Sequence, residues 1–245
     1  MEPKQKIVSI HQPAYIPWLG YFDKIAKSNT HIILDNAEYS KNNLFNRNVI
    51  NTVNGWIWLT IPIKYKNKTP INQMKIDNSK KWRKKHWRSI QLNYGKAPFF
   101  KKYSKNFKTI YEKEWENLSD FVFAINKEIL NILDIKTKLI KSSNIKTDGS
   151  KNEKLLNLCK LTNATTYLTG KGAKDPRYGA YLEEELFSKN NIKINYQEFK
   201  HPEYKKIGKE FTPNIEENDI SNLSVLDILF TLGAEKIKGY LKNGN

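Results

Sequence analysis

Three consecutive patterns near the start of the chain restrict its fold more than any other feature. An apolar run at Lys6 to Ile10 reads as a buried strand. Trp18 to Lys27 then carries Leu19, Phe22, Ile25 and Ala26 at helical spacing, and His31 to Asp35 (HIILD) reads as a second strand ending in a carboxylate. This is a β-α-β pattern. The residues after its first strand are His11, Gln12 and Pro13 instead of a short turn. Open α/β sheets bind ligands outside the carboxyl ends of their strands, so His11, Gln12 and Asp35 fall where such a fold puts its chemistry.

The second half repeats the alternation. Lys138 to Ser142, Thr165 to Thr169 and Ile192 to Phe199 read as strands, and Asn152 to Thr162, Ala180 to Ser188 and Asp219 to Gly233 as helices. Strands alternating with helices of about ten residues predict an α/β, Rossmann-like, mainly parallel sheet with helices on both faces. Between the halves, Asn48 to Val53 and Trp56 to Ile63 predict a hairpin across Asn54-Gly55. Ser79 is placed to cap a helix over Lys80 to Tyr94, and aromatic residues at spacings of three or four predict helix from about Pro98 to Leu133. The expectation is one domain over 1–245. Residues 1–55 and 138–245 form its α/β core, and 56–133 an inserted hairpin and aromatic, basic helical segment. The loops after the strands ending near Ile10, Asp35, Ile140 and Thr169 are expected to converge on one cleft.

Charge and chemistry narrow the function classes. A formal net charge of +17 favours polyanionic partners: a phosphorylated small molecule, tRNA or an anionic membrane surface. Lysine supplies most of it, and an AT-rich genome would also enrich Lys, Asn and Ile, so a merely compositional origin stands beside the functional one. No apolar stretch approaches the roughly 20 residues that cross a bilayer, and MEPKQKIVSI lacks the apolar region of a secretory signal, which predicts a cytoplasmic protein without a transmembrane segment. Cys159 lies among Leu155, Leu156, Leu158 and Leu161 and reads as a core residue. His11, His31, His86 and His201 are far apart, and no metal-ligand spacing occurs. No cofactor motif is identified: Thr169-Gly170-Lys171-Gly172 lacks P-loop spacing, and no G-x-S-x-G elbow offers a nucleophile.

The residues then suit positioning and acid–base chemistry. His11 offers a general base, or only a hydrogen bond to its loop. Gln12 offers donor and acceptor together. Asp35 offers a carboxylate to hold an amine or a histidine tautomer, or a loop cap. Asn46 and Arg47, just past Lys41, form a grouping suited to phosphate, because Arg binds such anions bidentately. Ser142 and Ser143 end the strand that opens the second half, where an anion-binding turn and a helix cap both stay open, and Gly170 lies in a small, flexible loop after the next strand whose backbone could approach phosphate. His201 and Tyr204 follow the last predicted strand and could close the pocket. His86 shares a helix face with Trp82 and Ile90, where a core role competes with a site role.

HQPAYIPWLGYFDKI at His11 to Ile25, the segment from Tyr39 and Lys41 to Ile50, WLTIPI at Trp58 to Ile63, WRKKHWRSI with NYGKAPFF, KSSNI, TTYLTGKGAKD, FKHPEY and LSVLDILFTLG resemble the blocks of the WbqC-like family, in its order over nearly the whole chain. The resemblance adds Tyr15 and Trp18 to the substrate-binding candidates and strengthens His86. It implies an association with bacterial surface-polysaccharide and O-antigen synthesis. It also implies a glycyl-like aminoacyl or acyl transfer to an amino sugar carried on a nucleotide, with aminoacyl-tRNA as a possible donor. Two other readings compete. One is a HUP-like nucleotide-binding or adenylylating enzyme, although the HxGH pair is missing. The other is a non-enzymatic binding module of the same pathway.

Overall fold

The computed structural model of the chain describes residues 5–41, 43–66, 68–176, 181–208 and 223–242. Its centre is a five-stranded parallel sheet. β1 (Ile7–His11) leads through α1 (Leu19–Ala26) to β2 (Thr30–Ile33). A long inserted segment returns to β7 (Lys138–Lys141), and α5 (Lys151–Leu161), β8 (Thr166–Thr169), α6 (Glu184–Ser188) and β9 (Lys193–Tyr196) follow. The strand order is β7-β2-β1-β8-β9, every pair parallel. The chain thus winds outward from β1 to β2 and β7 on one side, and from β8 to β9 on the other. This is a doubly wound, Rossmann-like α/β sheet whose order reverses between β1 and β8, the position at which such sheets open a ligand crevice.

Alternation along the strands assigns the two faces. Val8, Ile10, Ile32 and Tyr167 pack with Leu155, Leu158 and Phe187 of α5 and α6. The register puts Ser9 beside His31, and these residues, with His11 and Ile33, occupy the opposite face toward α1 and α4 (Leu118–Ile132). Burial of both faces explains why the strands read as apolar runs, with the polar Ser9 and His31 as the exceptions.

Between β2 and β7 lie the hairpin β3 (Arg47–Thr52) and β4 (Gly55–Thr60), the short pair β5 (Ile63–Lys64) and β6 (Lys75–Ile76), and helices α2 (Trp82–Tyr94), α3 (Phe100–Glu112) and α4. Trp82, Tyr94, Phe100, Tyr103, Phe107, Tyr111 and Phe121 join α1 and α7 (Val225–Leu232) in the larger core.

Several boundaries differ from expectation for local reasons. The predicted 98–133 helix is two helices. Lys113 turns extended, and the Asn117 side chain restarts the helix by accepting from the amides of Ser119 and Asp120. The aromatic spacing runs across that break and hides it. Ser79 does not cap α2: its hydroxyl donates to Asp77 and Lys81 takes the N-cap position. β2 stops at Ile33, so Asp35 lies beyond the strand. Of the predicted 180–188 helix, Ala180 falls outside the described residues and 181–183 are not helical, so α6 starts only at Glu184; residues 219–222 of the last predicted helix also fall outside the described residues. Gly233 ends α7 at φ +77°, and α8 (Ala234–Lys242) follows unforeseen. A Cβ at Gly233 would lie 2.7 Å from the Phe99 ring.

Candidate functional site

The parallel sheet brings the ends of β1, β2, β7 and β8 to one edge, so His11, Asp35, Ser142 and Gly170 share it as expected. The loop that carries His11 is held from three sides. Tyr15 N donates to Leu44 O at 2.9 Å, Asn48 Nδ2 to the carbonyls of Tyr15 and Ile16 at 3.1 and 2.9 Å, and Asn126 Nδ2 to Ala14 O at 2.8 Å. These contacts, with complete burial, hold Ile16 at φ +38°, a region a β-branched residue rarely adopts.

His11 Nδ1 lies 2.8 Å from the Gln12 carbonyl. A carbonyl only accepts, so Nδ1 carries the proton and Nε2 keeps its lone pair, with no hydrogen-bond partner among the described residues. The ring packs edge-on to Tyr21 at 5.2 Å and keeps a solvent-facing side. Desolvation by the surrounding packing, then the Lys24 ammonium, lower its pKa. The solvent-facing side limits that desolvation, so the direction is what matters: a neutral imidazole at pH 7. The half-buried Gln12 side chain has no hydrogen-bond partner among the described residues.

Asp35 is buried and fully engaged. Its Oδ1 accepts from Ser143 N at 2.9 Å and shares the Ser142 hydroxyl proton, at 3.0 Å, with Asn36 Oδ1, at 2.7 Å from that hydroxyl, and its Oδ2 accepts from Ser143 Oγ at 2.7 Å. The carboxylate therefore clasps the turn after β7 to the end of β2. Its geometry is that of a positioning group, and the two serines are its donors. A Cβ added at Gly170 would meet nothing within 4 Å, so its neighbours do not require a glycine there.

The other candidates separate into three places. Trp18 folds over α1, where a Cβ at Gly20 would strike its ring, and meets Phe199 at 5.5 Å. Phe199 contacts His201, and His201 contacts Tyr204, so Trp18, His201 and Tyr204 form one aromatic wall. His201 Nδ1 donates to the Pro202 carbonyl, and Tyr204 donates to Asp227 Oδ1 at 2.6 Å. Tyr15 and His86 sit instead in the helical core. His86 Nε2 donates to Thr60 O at 3.1 Å, Tyr15 donates to His86 Nδ1 at 3.0 Å, and Tyr111 closes the network on the Tyr15 oxygen. Burial lowers the His86 pKa to about 4. Asn46 is likewise interior, donating to Ile61 O and accepting from Tyr39. Lys41 lies over the Tyr65 ring at 4.7 Å, and the Arg47 guanidinium over Trp58 at 4.3 Å.

Sequence reasoning missed four groups. Lys24 is buried beside His11 and His31, with its pKa lowered by desolvation to about 8. His31 contacts Ser9 Oγ through Nδ1 at 2.8 Å. It lines a narrow cavity of about 10 Å³, roughly one water molecule in size, with Ser119 and Asn126. His31 Nε2, Ser119 Oγ and Asn126 Oδ1 are buried without a hydrogen-bond partner among the described residues. Gln197 ties α1 to the end of β9 through Gly20 O and Asp23 Oδ2, both at 2.7 Å. Asp227 accepts from Tyr94 and Tyr204, and burial raises its pKa. The signal for Asp227 was visible as a carboxylate inside the apolar run VLDILF.

Residues 12–239 match the WbqC-like protein family. The chain is also 34% identical over 238 residues to a Mycobacterium tuberculosis protein named "Uncharacterized protein Rv1507c", covering 94% of this chain and 95% of that one. No solved structure matches. Among the described residues no helix is long and apolar enough to cross a membrane.

Proposed function

This chain belongs to the WbqC-like protein family, and on that premise we propose that it is a transferase attaching an aminoacyl or acyl group to an amino sugar, carried on a nucleotide, in bacterial surface-polysaccharide synthesis. The observation that carries the reading is the His11 imidazole, which is fixed by its own loop and offers an unprotonated Nε2 at the edge where doubly wound sheets bind their ligands. In the transfer, the sugar amine attacks the acyl carbon, a C–N bond forms, and the bond from acyl group to carrier breaks. The amine proton goes to His11 Nε2 and the Gln12 amide donates to the developing oxyanion. A neutral histidine with a lowered pKa is a weak base; the phosphates of a nucleotide-linked substrate would raise it toward neutrality. Asp35 acts through Ser142 and Ser143 by fixing the neighbouring turn, and Trp18, His201 and Tyr204 wall the cleft.

The strand order favours one other reading, a nucleotide-binding enzyme that forms adenylates, because this winding is also that of dinucleotide-binding sheets. The two separate in one assay. The purified chain is incubated with nucleotide-linked amino sugars and three donors: an amino acid with ATP, aminoacyl-tRNA, and an acyl thioester. A mass gain on the amino sugar supports the transferase. Release of pyrophosphate from ATP without that gain supports the second reading, and no product with any donor overturns both.

A further inference from the structure

Residues 80–113, which comprise α2, a short connection and α3, carry twelve lysines and arginines against one acidic residue, Glu112. This is a net +11 of the chain's +17 in 34 residues. Spread evenly, the chain's 42 basic and 25 acidic residues would place about six and between three and four there. A uniform bias toward lysine therefore does not produce the pattern. The fold keeps the charge on one side: Trp82, Ile90, Tyr94, Phe100, Phe107 and Tyr111 turn into the core. Lys84, Lys85 and Arg88 of α2, with Lys101, Lys105 and Lys108 of α3, are left exposed. Among the described residues one ion pair falls inside the segment, Lys108 to Glu112 at 3.5 Å.

We propose that the outer face of the α2–α3 hairpin docks the phosphodiester backbone of a structured nucleic acid. Each helix has 13 residues, about 20 Å of length, so the cations can follow several successive phosphates. Ten of the twelve are lysines, point charges suited to backbone contact. The aromatic residues face inward, which leaves no platform for stacking bases, and the binding is accordingly independent of sequence. The same inward turn argues against a bilayer as partner, since a helix that lies in a membrane interface presents an apolar face outward. On this hairpin the exposed large apolar side chain is Leu92 alone among the described residues. The inference stands apart from the transfer reaction, and its test measures no turnover.

The test is fluorescence anisotropy with a labelled RNA duplex of about 20 base pairs, titrated between about 50 and 200 mM salt. The combined variant Lys84→Glu, Lys85→Glu, Arg88→Glu is compared with Lys138→Glu, Lys160→Glu, Lys193→Glu, which makes the same charge change on exposed residues at the opposite, amino edge of the sheet. The hairpin variant should bind roughly 30-fold or more weakly, and the slope of log affinity against log salt should fall by about two to three; the control should change by less than about threefold. Circular dichroism checks that both fold, and a Gln version of the hairpin set should repeat the ordering with a smaller loss. Equal weakening by the two Glu sets, binding that ignores salt, or no binding to the duplex overturns the proposal. So does binding to vesicles containing phosphatidylserine in preference to the duplex.

Discussion

At the carboxyl edge of the sheet His11 uses one ring nitrogen on its own loop and leaves the other without a partner among the described residues, whereas in the helical insertion His86 uses both, on Thr60 O and on the Tyr15 hydroxyl. Burial lowers both pKa values. A perturbed pKa is thus common to the two regions, and what distinguishes them is whether a lone pair remains for another molecule. The same contrast holds for carboxamides. Asn46 and Asn48 are occupied by backbone groups of the insertion and its neighbouring loop, while Gln12 at the edge is unoccupied among the described residues. Around His86 and Asn46 the polar side chains of the insertion are satisfied. Buried polar atoms without a partner among the described residues gather instead where the sheet meets α4, at His31 Nε2, Ser119 Oγ and Asn126 Oδ1.

Replacing each histidine is the strongest way to break that contrast. His86→Ala removes a ring from an aromatic core and strands the Tyr15 hydroxyl and the Thr60 carbonyl, so unfolding in urea should show a loss of about 3 to 5 kcal/mol. His11→Ala should cost stability little and lower turnover in the transfer assay by roughly 100-fold, the scale of losing a general base. Equal stability losses would erase the distinction.

Asp35 sharpens it next. Asp35→Ala removes the acceptor for three hydrogen bonds and should destabilise the fold by about 2 to 3 kcal/mol. Asp35→Asn keeps one acceptor oxygen and should lose less, and a reversed order in thermal melting would refute the clasp.

Acid should weaken the insertion through His86. Its folded pKa of about 4 lies below the ordinary 6.5, so the unfolded chain binds the proton first, and stability present above pH 6.5 is lost as pH falls toward 4. His31, whose pKa burial also holds well below the ordinary value, adds in the same direction. For His86 the loss amounts to about 3 kcal/mol over that window. A His86→Gln variant, compared with the parent by urea unfolding at several pH values, should become relatively more stable as pH drops; parallel curves would show that His86 titrates normally.

The smallest effects concern helix starts in the insertion. Asn117→Ala should cost about 1 kcal/mol because the side chain caps α4, while Ser79→Ala should stay within about 0.5 kcal/mol because the hydroxyl serves Asp77 and not the helix. Melting temperatures of the two variants separate these roles.

How much of this was legible depended on range. The sheet strands, α1 and the hairpin followed from short periodic patterns, because apolar runs buried on both faces and the Asn54-Gly55 turn are local signals. The break at Lys113 to Asn117 was masked by aromatic residues that continued the helical spacing across it. At the site, polar residues at strand ends marked His11, Gln12, Asp35 and Ser142 correctly as neighbours of one sheet edge. The sequence does not record that Asp35 is occupied by two serines more than 100 residues away, or that Tyr15 and His86 meet in the core. Those are long-range contacts with no local pattern. Lys24 was hidden for the opposite reason: a lysine on a helix normally reads as solvent-facing, and here its stem is buried against the sheet.

That the edge keeps an unprotonated histidine nitrogen without a partner among the described residues, whereas the one in the insertion is hydrogen-bonded to Tyr15, is open to direct measurement without any substrate. Side-chain nitrogen NMR on selectively labelled protein, assigned through His11→Gln and His86→Gln, reports which ring nitrogen carries the proton as pH is varied from about 8 to about 4. His11 is expected as the Nδ1–H tautomer with Nε2 bare at pH 7, titrating below the ordinary 6.5, and His86 as the Nε2–H tautomer with Nδ1 hydrogen-bonded. An Nε2–H tautomer at His11, or a His11 ring already charged at pH 7, would contradict that expectation.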